Sequence, residues 1–317
     1  MTTTPAVSPP ETKKVTQRPG DRWFSGAALF AGSMILVMLA AVAIFLIAQS
    51  IPALGATSED ASILTDNFWS YVGPLVFGTV WAAALALLMA VPLSIGVALF
   101  ISHYAPRRLA QVLGYIVDLL AAVPSVVFGL WGIGVLAPAV QPIYDWFVQN
   151  AGWFPLFSGP VSSTGRTIFT AAIVLAVMVT PIITAICREI FLQTPTLHEE
   201  AALALGSTRW EMVRMAVFPF ARSGIVSASM LGLGRALGET MAVAMVLSVS
   251  GGFSLALFTS DNPNTIAANI ALSFPEAYGL NVNVLIATGL ILFVVTFAVN
   301  AVARYIVSRR KEFSGAN

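Results

Sequence analysis

Six long stretches of this chain contain no charged residue, and they restrict the fold more than any other feature of the sequence. They cover residues 23–58, 67–102, 119–144, 167–187, 240–260 and 277–303. A helix that crosses a bilayer needs about 20 consecutive apolar residues; most of these stretches are long enough, and some leave room for tilt or for an outer loop. Charged residues make up only 10% of the chain, against about 25% in soluble proteins. The sequence therefore predicts an all-α polytopic membrane protein.

Six transmembrane helices are predicted, and their orientation follows from the basic residues, which are enriched on cytoplasmic flanks. We place the helices at 24–49, 71–102, 111–138, 167–190, 217–248 and 282–307. With the N-terminus inside, 14 of the 16 basic residues fall on the cytoplasmic side: Lys13, Lys14, Arg18, Arg22, Arg107, Arg108, Arg188, Arg209, Arg214, Arg222, Arg304, Arg309, Arg310 and Lys311. Both termini are therefore predicted to be cytoplasmic.

The predicted organisation has four parts. Residues 1–22 are expected to form a disordered cytoplasmic tail, because they are rich in Thr, Pro and Lys. Residues 23–70 hold the first helix and an outer segment, residues 71–308 form a core of five helices, and residues 309–317 form a second cytoplasmic tail. A further outer segment at 139–165 is rich in aromatic residues, which fits an aromatic belt at the membrane surface or a docking or re-entrant element.

The segment between the fourth and fifth helices carries signals for two short helices. Two threonines are each followed by a glutamate three residues on, as in a capping box: Thr196–Glu199 and Thr208–Glu211. Gly206 stands where a left-handed residue would end the first helix. The segment has few large apolar side chains and a mixed charge pattern. These features favour contact with a protein partner over an amphipathic helix lying on the bilayer.

The same segment resembles the EAA loop of the permease subunits of binding-protein-dependent ABC importers. That pattern is EAA, three residues, glycine, nine residues and Ile-x-Leu-Pro. The matching residues are Glu200, Ala201, Ala202, Gly206 and Pro219. Ala216 and Phe218 replace the two aliphatic residues, and the spacing is kept. The resemblance implies a type I ABC importer permease fold, in which residues 193–219 form the coupling loop that seats in a groove of an ATP-binding subunit.

The chain carries no ATP-binding loop of its own. Its lysines are Lys13, Lys14 and Lys311, and none lies in a G-x-x-x-x-G-K-[ST] motif. We therefore expect a non-catalytic permease subunit that depends on a partner for ATP hydrolysis.

Two charged residues, Arg235 and Glu239, fall inside the predicted fifth helix. An arginine at a helix centre costs about 2.5–3.5 kcal/mol on insertion scales, and a residue four positions on lies one turn away. Two interpretations stay open. One is an ion pair that only stabilises the bundle, and the other is a polar pathway in which the guanidinium binds an oxyanion. Gly234 and Gly238 form a G-x-x-x-G pair that predicts a close helix crossing or gate.

The stretch GRALGETMAV (234–243) resembles phosphate permeases of the PstC type, as do AAVPSVVFGLWG (121–132) and VTPIITAICREIF (179–191). The resemblance covers roughly residues 70–310. It implies a heterodimeric channel in the bacterial cytoplasmic membrane, formed with a sister permease of the PstA type. Two ATP-binding subunits of the PstB type and an external phosphate-binding protein of the PstS type would complete the complex.

Two hydroxyl residues beside prolines are further candidates for the pathway. Ser125 follows Pro124 and Thr180 precedes Pro181, and proline frees a carbonyl that a polar group must satisfy in a membrane helix. No cofactor is expected, and no nucleic-acid partner. His103 and His198 are far apart in the sequence, so no metal site is expected either.

The leading hypothesis is the transmembrane subunit of an ATP-driven importer of inorganic phosphate. Arg235 would attract and stage the anion, and Glu239 would tune Arg235 and accept the proton of hydrogenphosphate. The alternatives are a sulfate or molybdate ABC permease, a proton-coupled secondary anion transporter with Glu239 as proton carrier, and a signalling subunit that senses phosphate.

Overall fold

The computed structural model describes residues 19–308. Segments 1–18 and 309–317, which hold most of the two predicted tails, lie outside the described residues. The helices are α1 Pro19–Ser50, α2 Phe68–Leu99, α3 Arg107–Ala121, α4 Ser125–Trp131, α5 Ala137–Ala151, α6 Ile168–Leu192, α7 Thr196–Ala204, α8 Arg209–Met212, α9 Phe218–Leu237, α10 Met241–Val246, α11 Ile266–Ser273 and α12 Leu280–Ser308. Three π-helical turns extend or join them, at Phe100–Tyr104, Gly132–Leu136 and Val213–Val217.

Six helical segments are long and apolar enough to cross a membrane. They are Trp23–Ala53, Phe68–Tyr104, Ser125–Ala151, Ile168–Leu192, Arg209–Leu237 and Leu280–Tyr305. No β-strand occurs within residues 19–308. The prediction of an all-α polytopic membrane protein with six such helices is confirmed.

The contacts divide the chain into two units between Ala48 and Gln49. α1, which makes up the described part of the first unit, begins at Pro19, inside the predicted tail 1–22. The segment that follows α1 belongs to the second unit, where Ala53, Leu64 and Phe68 form a small core with Val284 of α12. This division falls before the outer segment.

The predicted third helix, 111–138, is wrong as one continuous element. α3 ends at Ala121 and α4 begins at Ser125. Pro124 stands between them in an extended conformation with ψ 139°. Proline has no backbone N–H and keeps the residue before it out of the helical region, so the helix breaks here. Beyond the break, helical structure continues to Ala151, well past the predicted end.

The predicted fifth helix, 217–248, is also wrong at both ends. α8 continues through a π-helical turn into α9, so the helical segment begins at Arg209. α8 is therefore the first turn of the fifth segment and not a separate short helix. α9 then ends at Leu237, and α10 begins at Met241 after a three-residue interruption. Arg235 and Glu239 consequently do not share one helix.

The loops of the second unit collect at two ends of the helical bundle. At one end, the Ile63 N–H donates to Asn281 Oδ1 at 3.3 Å and the Ser162 N–H donates to the Phe258 carbonyl at 2.9 Å. We call this the loop end. At the other end, which we call the α7 end, α7 meets the π-helical turn that follows α2. The loops that were predicted to lie on the same side of the membrane are therefore found at the same end of the bundle.

The aromatic residues of segment 139–165 separate into two groups. Phe147 and Phe157 pack around Phe258, and the rings of Phe157 and Phe258 stack with centroids 5.2 Å apart. Trp146 and Trp153 are exposed instead. Half of the aromatic segment is therefore a core that ties α5 to the loop before α11. The two exposed tryptophans remain compatible with a membrane-surface belt.

Asn262 is the main polar contact of the loop end. Its side chain is fully buried, and Nδ2 donates to the carbonyls of Ser248 at 2.9 Å and Thr259 at 3.0 Å. Its Oδ1 accepts the N–H of Ile168, the first residue of α6, at 2.9 Å. One amide therefore satisfies backbone groups from three segments.

Replacing Asn262 by leucine is expected to lower the free energy of unfolding by about 2–4 kcal/mol, because buried backbone groups left without a partner cost about 1–3 kcal/mol each. The measurement is the thermal unfolding midpoint of the purified protein in detergent. Asn150→Leu is the matched control, since the Asn150 amide is exposed and makes one hydrogen bond, to the Trp146 carbonyl. Equal midpoints for the two variants would contradict the role of Asn262.

Candidate functional site

α6 is the central helix of the bundle, and its neighbours can be ordered along it. The Arg188 guanidinium of α6 lies over Gly114 of α3, whereas Gly132, after α4, packs against Val174. α3 and α4 therefore run along α6 in succession, and the break between them faces a level near the middle of α6. Because a helix rises 1.5 Å per residue, positions 188 and 174 are about 21 Å apart, which is most of a membrane core.

The interruption between α9 and α10 lies at the same level. Gly232 of α9 packs against Ile183 of α6. Val246, the last residue of α10, reaches the level of Val174, because both contact Gly132. Residues 238–240 consequently lie between these two levels, near the middle of α6. Irregular backbone at membrane depth is tolerated where it is buried in protein or lines a water-filled space.

The middle of α6 is itself irregular. Pro181 lies inside the helix, and Thr180 Oγ1 donates to the Ala176 carbonyl at 2.7 Å. Ser94 Oγ of α2, two residues after Pro92, donates to the Thr180 carbonyl at 3.1 Å. Two helix breaks, α3–α4 and α9–α10, thus lie at the level where the continuous helices α2 and α6 each contain a proline.

All four residues predicted for the pathway belong to this level, which we call the mid-bundle layer: Ser125, Thr180, Arg235 and Glu239. Ser125 is the first residue of α4. Arg235 lines a groove together with Ile182, so it also lies at mid-height. The structure brings the four residues to one layer, but no hydrogen bond or ion pair joins any two of these side chains.

Glu239 does not pair with Arg235. Glu239 is 8% exposed, and its carboxylate accepts the N–H of Ala242, in the first turn of α10, at 3.1 Å. The N-terminus of a helix favours a negative charge and provides free N–H groups. α9 ends at Leu237, so Glu239 lies just before α10. Its carboxylate therefore contacts the first turn of α10 and not the side chain of Arg235. The interpretation of the two residues as an ion pair therefore has no support in the structure.

Arg235 is exposed and has no hydrogen-bond or ion-pair partner among residues 19–308. It faces an open groove between α6, α9 and α12, with a volume of about 1090 Å³. An uncompensated guanidinium at mid-height is costly in an apolar setting. The arginine is therefore free to bind an anion that reaches the groove.

Within the part of the chain that the structure describes, no helix packs against the glycine pair predicted to form a close crossing. A Cβ at Gly234 would meet no atom within 4 Å, and one at Gly238 would meet only the Gly234 carbonyl at 3.5 Å. The close approaches on α9 occur at Gly224 and Gly232, where isoleucine side chains of α6 fill the space. A gate at Gly234 and Gly238 stays a prediction that involves another subunit.

After α6, the first predicted short helix is α7, whereas the second is α8, the first turn of the fifth helical segment. α7 is preceded by Pro195 and has no side-chain cap, so the first predicted capping box is wrong. The second is formed: Thr208 Oγ1 accepts the Glu211 N–H at 3.3 Å, and Glu211 Oε2 accepts the Thr208 N–H at 2.7 Å. Proline at the cap position has no side-chain acceptor, which explains the difference.

Gly206 ends α7 in the left-handed conformation, as predicted, with φ +85°. Its N–H donates to the Leu203 carbonyl at 2.9 Å, and the Ser207 N–H donates to the Ala202 carbonyl at 3.4 Å. These two bonds are those of a Schellman motif. A Cβ at Gly206 would meet nothing within 4 Å, so backbone conformation alone favours glycine here.

α7 projects from the bundle, and none of its residues is fully buried. Within and just after it lie exposed side chains that we call the coupling surface: Leu197, Glu200, Ala201, Leu205 and Trp210. Leu205 is 89% exposed and Trp210 is 55% exposed. Ala202 turns the other way and packs against the core. These few exposed apolar side chains, set among charged ones, fit a protein contact.

Sequence analysis missed a contact between α7 and the π-helical turn that follows α2. His103 Nε2 lies 3.4 Å from Glu199 Oε1, and His103 Nδ1 lies 2.7 Å from Ser102 Oγ. The His103 side chain is 8% exposed. This contact holds α7 against the end of the second helical segment. The two residues are 96 positions apart, so no local spacing could have indicated it.

The mid-bundle layer and the coupling surface both fall within one match to a known family. Residues 90–312 match the family described as binding-protein-dependent transport system inner membrane component. The chain belongs to this family. The match begins inside α2 and leaves out α1.

This chain is also similar to individual proteins of known name over nearly its whole length. It is 48% identical over 320 residues to a protein of Mycobacterium tuberculosis named phosphate transport system permease protein PstC 2, covering 96% of this chain and 98% of the relative. It is 42% identical over 308 residues to the protein of Mesorhizobium japonicum named PstC, covering 93% and 92%.

The fold is that of solved ABC importers. A bacterial ABC transporter involved in the import of alginate superimposes with a TM-score of 0.58 at 18% identity, covering 91% of this chain and 99% of that chain. A bacterial alginate ABC transporter in complex with an alginate pentasaccharide-bound periplasmic protein gives a TM-score of 0.58 at 16% identity, covering 90% of this chain and 95% of that chain. The predicted permease fold of ABC importers is thereby confirmed.

Proposed function

We propose that this chain is the transmembrane permease subunit of an ATP-driven importer of inorganic phosphate in the bacterial cytoplasmic membrane. The observation that carries the proposal is the 42–48% identity, over more than nine-tenths of both chains, to proteins named phosphate transport permeases. A cationic side chain without a partner at mid-height supports it, because an anion pathway requires such a group.

The partners are those of a binding-protein-dependent importer. A sister permease of the PstA type would complete the channel, two ATP-binding subunits of the PstB type would seat on the α7 end, and a phosphate-binding protein of the PstS type would dock outside. The exposed coupling surface supports the second contact, since Leu205 and Trp210 are available to a groove on an ATP-binding subunit. Hydrolysis of ATP is assigned to that subunit.

We assign to Arg235 the binding of phosphate within the membrane. Its planar guanidinium can donate two parallel hydrogen bonds to an oxyanion, and no carboxylate competes for it within residues 19–308. Glu239 receives a positioning role, because its carboxylate holds the first turn of α10 at the interruption. Ser125 and Thr180 are further polar groups of the same layer, and Gly234 leaves the backbone beside Arg235 accessible.

The function is tested with the complex reconstituted in vesicles with its partner subunits. Phosphate uptake should require both ATP and the binding protein, and equimolar sulfate or molybdate should not reduce it. Uptake driven by a proton gradient without ATP would show a secondary transporter. Inhibition by sulfate would show a different substrate, and an assembled complex without any uptake would favour a signalling role.

The orientation gives a separate prediction. If the α7 end is cytoplasmic, a protease tag after Asn317 should be protected in intact cells, whereas a tag inserted after Gly152, where α5 has ended, should be cleaved. The physical reason is the enrichment of basic residues on the cytoplasmic side. Cleavage of the first tag and protection of the second would reverse the topology.

A further inference from the structure

The groove that contains Arg235 extends to the α7 end and carries a second arginine. Its polar lining consists of Ser227 and Arg235 from α9 and Asn300 and Arg304 from α12. None of the lining residues is acidic. The groove therefore holds two positive charges and no negative one, which distinguishes it from an ordinary contact between membrane helices.

The order of these residues follows from the helix directions. α12 starts at the loop end, where Asn281 and Asn283 make their hydrogen bonds, and runs toward the α7 end. Asn300 and Arg304 are one turn apart on α12. They lie successively further from the loop end and beyond the level of Arg235. The polar groups thus form a series from mid-height to the α7 end.

Among residues 19–308, none of the three strongest donors in the groove has a side-chain partner. Arg235, Asn300 and Arg304 have no side-chain hydrogen bond or ion pair to any of residues 19–308. Asn300 is half-buried, so its unused amide is costly unless water or a ligand satisfies it. A structural role for this amide would require a partner that the described part of the chain does not supply.

We propose that Asn300 and Arg304 form a second, exit-side station for the oxyanion, which receives it from Arg235 and guides it to the α7 end. This proposal rests on the proposed anion transport. The amide donates to the passing oxyanion, and the guanidinium lowers the electrostatic energy of the lower half of the route. The groove, at about 1090 Å³, is far larger than a phosphate ion, so the anion passes together with water.

The competing explanation of Arg304 is a membrane anchor, because a basic residue near a helix end reaches the lipid headgroups. An anchor acts through insertion and assembly and does not involve Asn300. If Arg304 is only an anchor, changing Asn300 leaves uptake per assembled complex unchanged. If the two residues form an exit station, changing Asn300 lowers it.

The test measures initial phosphate uptake in reconstituted vesicles, normalised to assembled complex. Asn300→Asp is nearly isosteric but adds a negative charge to the groove, and Arg304→Gln removes a positive one. Clefts of one charge sign raise local substrate concentration by about tenfold or more. We therefore expect losses of about tenfold for each of these variants, a smaller loss for Asn300→Leu, and substantial retention for Arg304→Lys.

Arg108→Gln is the control, since Arg108 is an exposed arginine of α3 outside the groove. It should transport like the wild type. Wild-type uptake by both Asn300→Asp and Arg304→Gln would overturn the exit station while leaving phosphate transport intact. If Arg304→Gln fails to assemble, Asn300→Asp decides alone. An inactive wild-type complex would instead overturn the proposed function itself.

Discussion

Replacement of Arg235 by glutamine is expected to reduce phosphate uptake per assembled complex by roughly 100-fold, because about 1.5–3 kcal/mol is lost for each hydrogen bond to a charged group. Arg235 has no partner among residues 19–308, so its removal leaves no buried charge unpaired. Assembly should therefore be retained. Arg235→Lys keeps the charge but loses the planar pair of donors, and it should be only partly active.

The double variant Arg235→Gln with Glu239→Gln separates the pathway from an ion pair. If the two residues stabilised each other, removing both would restore function, because no isolated charge would remain. The structure predicts no restoration, since the Glu239 carboxylate binds the Ala242 N–H. Arg222→Gln is the matched control, because Arg222 is an exposed arginine on the same helix. Normal uptake by the double variant would remove Arg235 from the pathway.

Substitution of Gly206 is expected to uncouple ATP hydrolysis from uptake, with a severity that follows the cost of φ +85° for each side chain. Asparagine tolerates left-handed backbone best, alanine less well, and β-branched valine worst. Since a Cβ would meet nothing within 4 Å, this order reports backbone strain and not a clash. We expect Gly206→Asn to keep most uptake and Gly206→Val to lose at least about tenfold, because strain of about 1–3 kcal/mol displaces the coupling surface.

The measurement for the Gly206 series is the ratio of phosphate transported to ATP hydrolysed by the purified complex. Gly96→Val is the control, because a Cβ at Gly96 also meets nothing within 4 Å and its φ is not positive. Uptake that is equal across the asparagine, alanine and valine variants would exclude a mechanical role for the left-handed turn.

Several elements of the fold could be predicted from the sequence because their signals are local. Long apolar stretches locate the helical segments, since bilayer thickness alone requires about 20 residues. The turn at Gly206 and the capping box at Thr208 and Glu211 were predictable because each is closed by hydrogen bonds between residues three to five positions apart. The first capping box failed for an equally local reason, the proline that precedes α7.

The helix interruptions were only partly predictable. Pro124 was visible as a possible irregularity, whereas Gly238 was interpreted only as part of a close helix crossing. Composition indicated continuous helices, because apolar residues continue on both sides of each break. Whether a proline bends a membrane helix or ends it depends on which neighbouring groups satisfy the freed backbone. At the break after Gly238, the decisive contact is the hydrogen bond from the Ala242 N–H to the Glu239 carboxylate. The four-residue spacing had instead suggested Arg235 as the partner of Glu239.

The sequence by itself determined that the chain crosses a membrane, which residues carry unusual charge, and where the coupling turn lies, because hydrophobicity and local hydrogen bonding depend on neighbours along the chain. Only the tertiary structure decided that Ser125, Thr180, Arg235 and Glu239 share one layer, that His103 holds Glu199, and that Arg304 shares a groove with Arg235. These relations depend on how helices distant in sequence align against α6, and side-chain packing between helices sets that alignment.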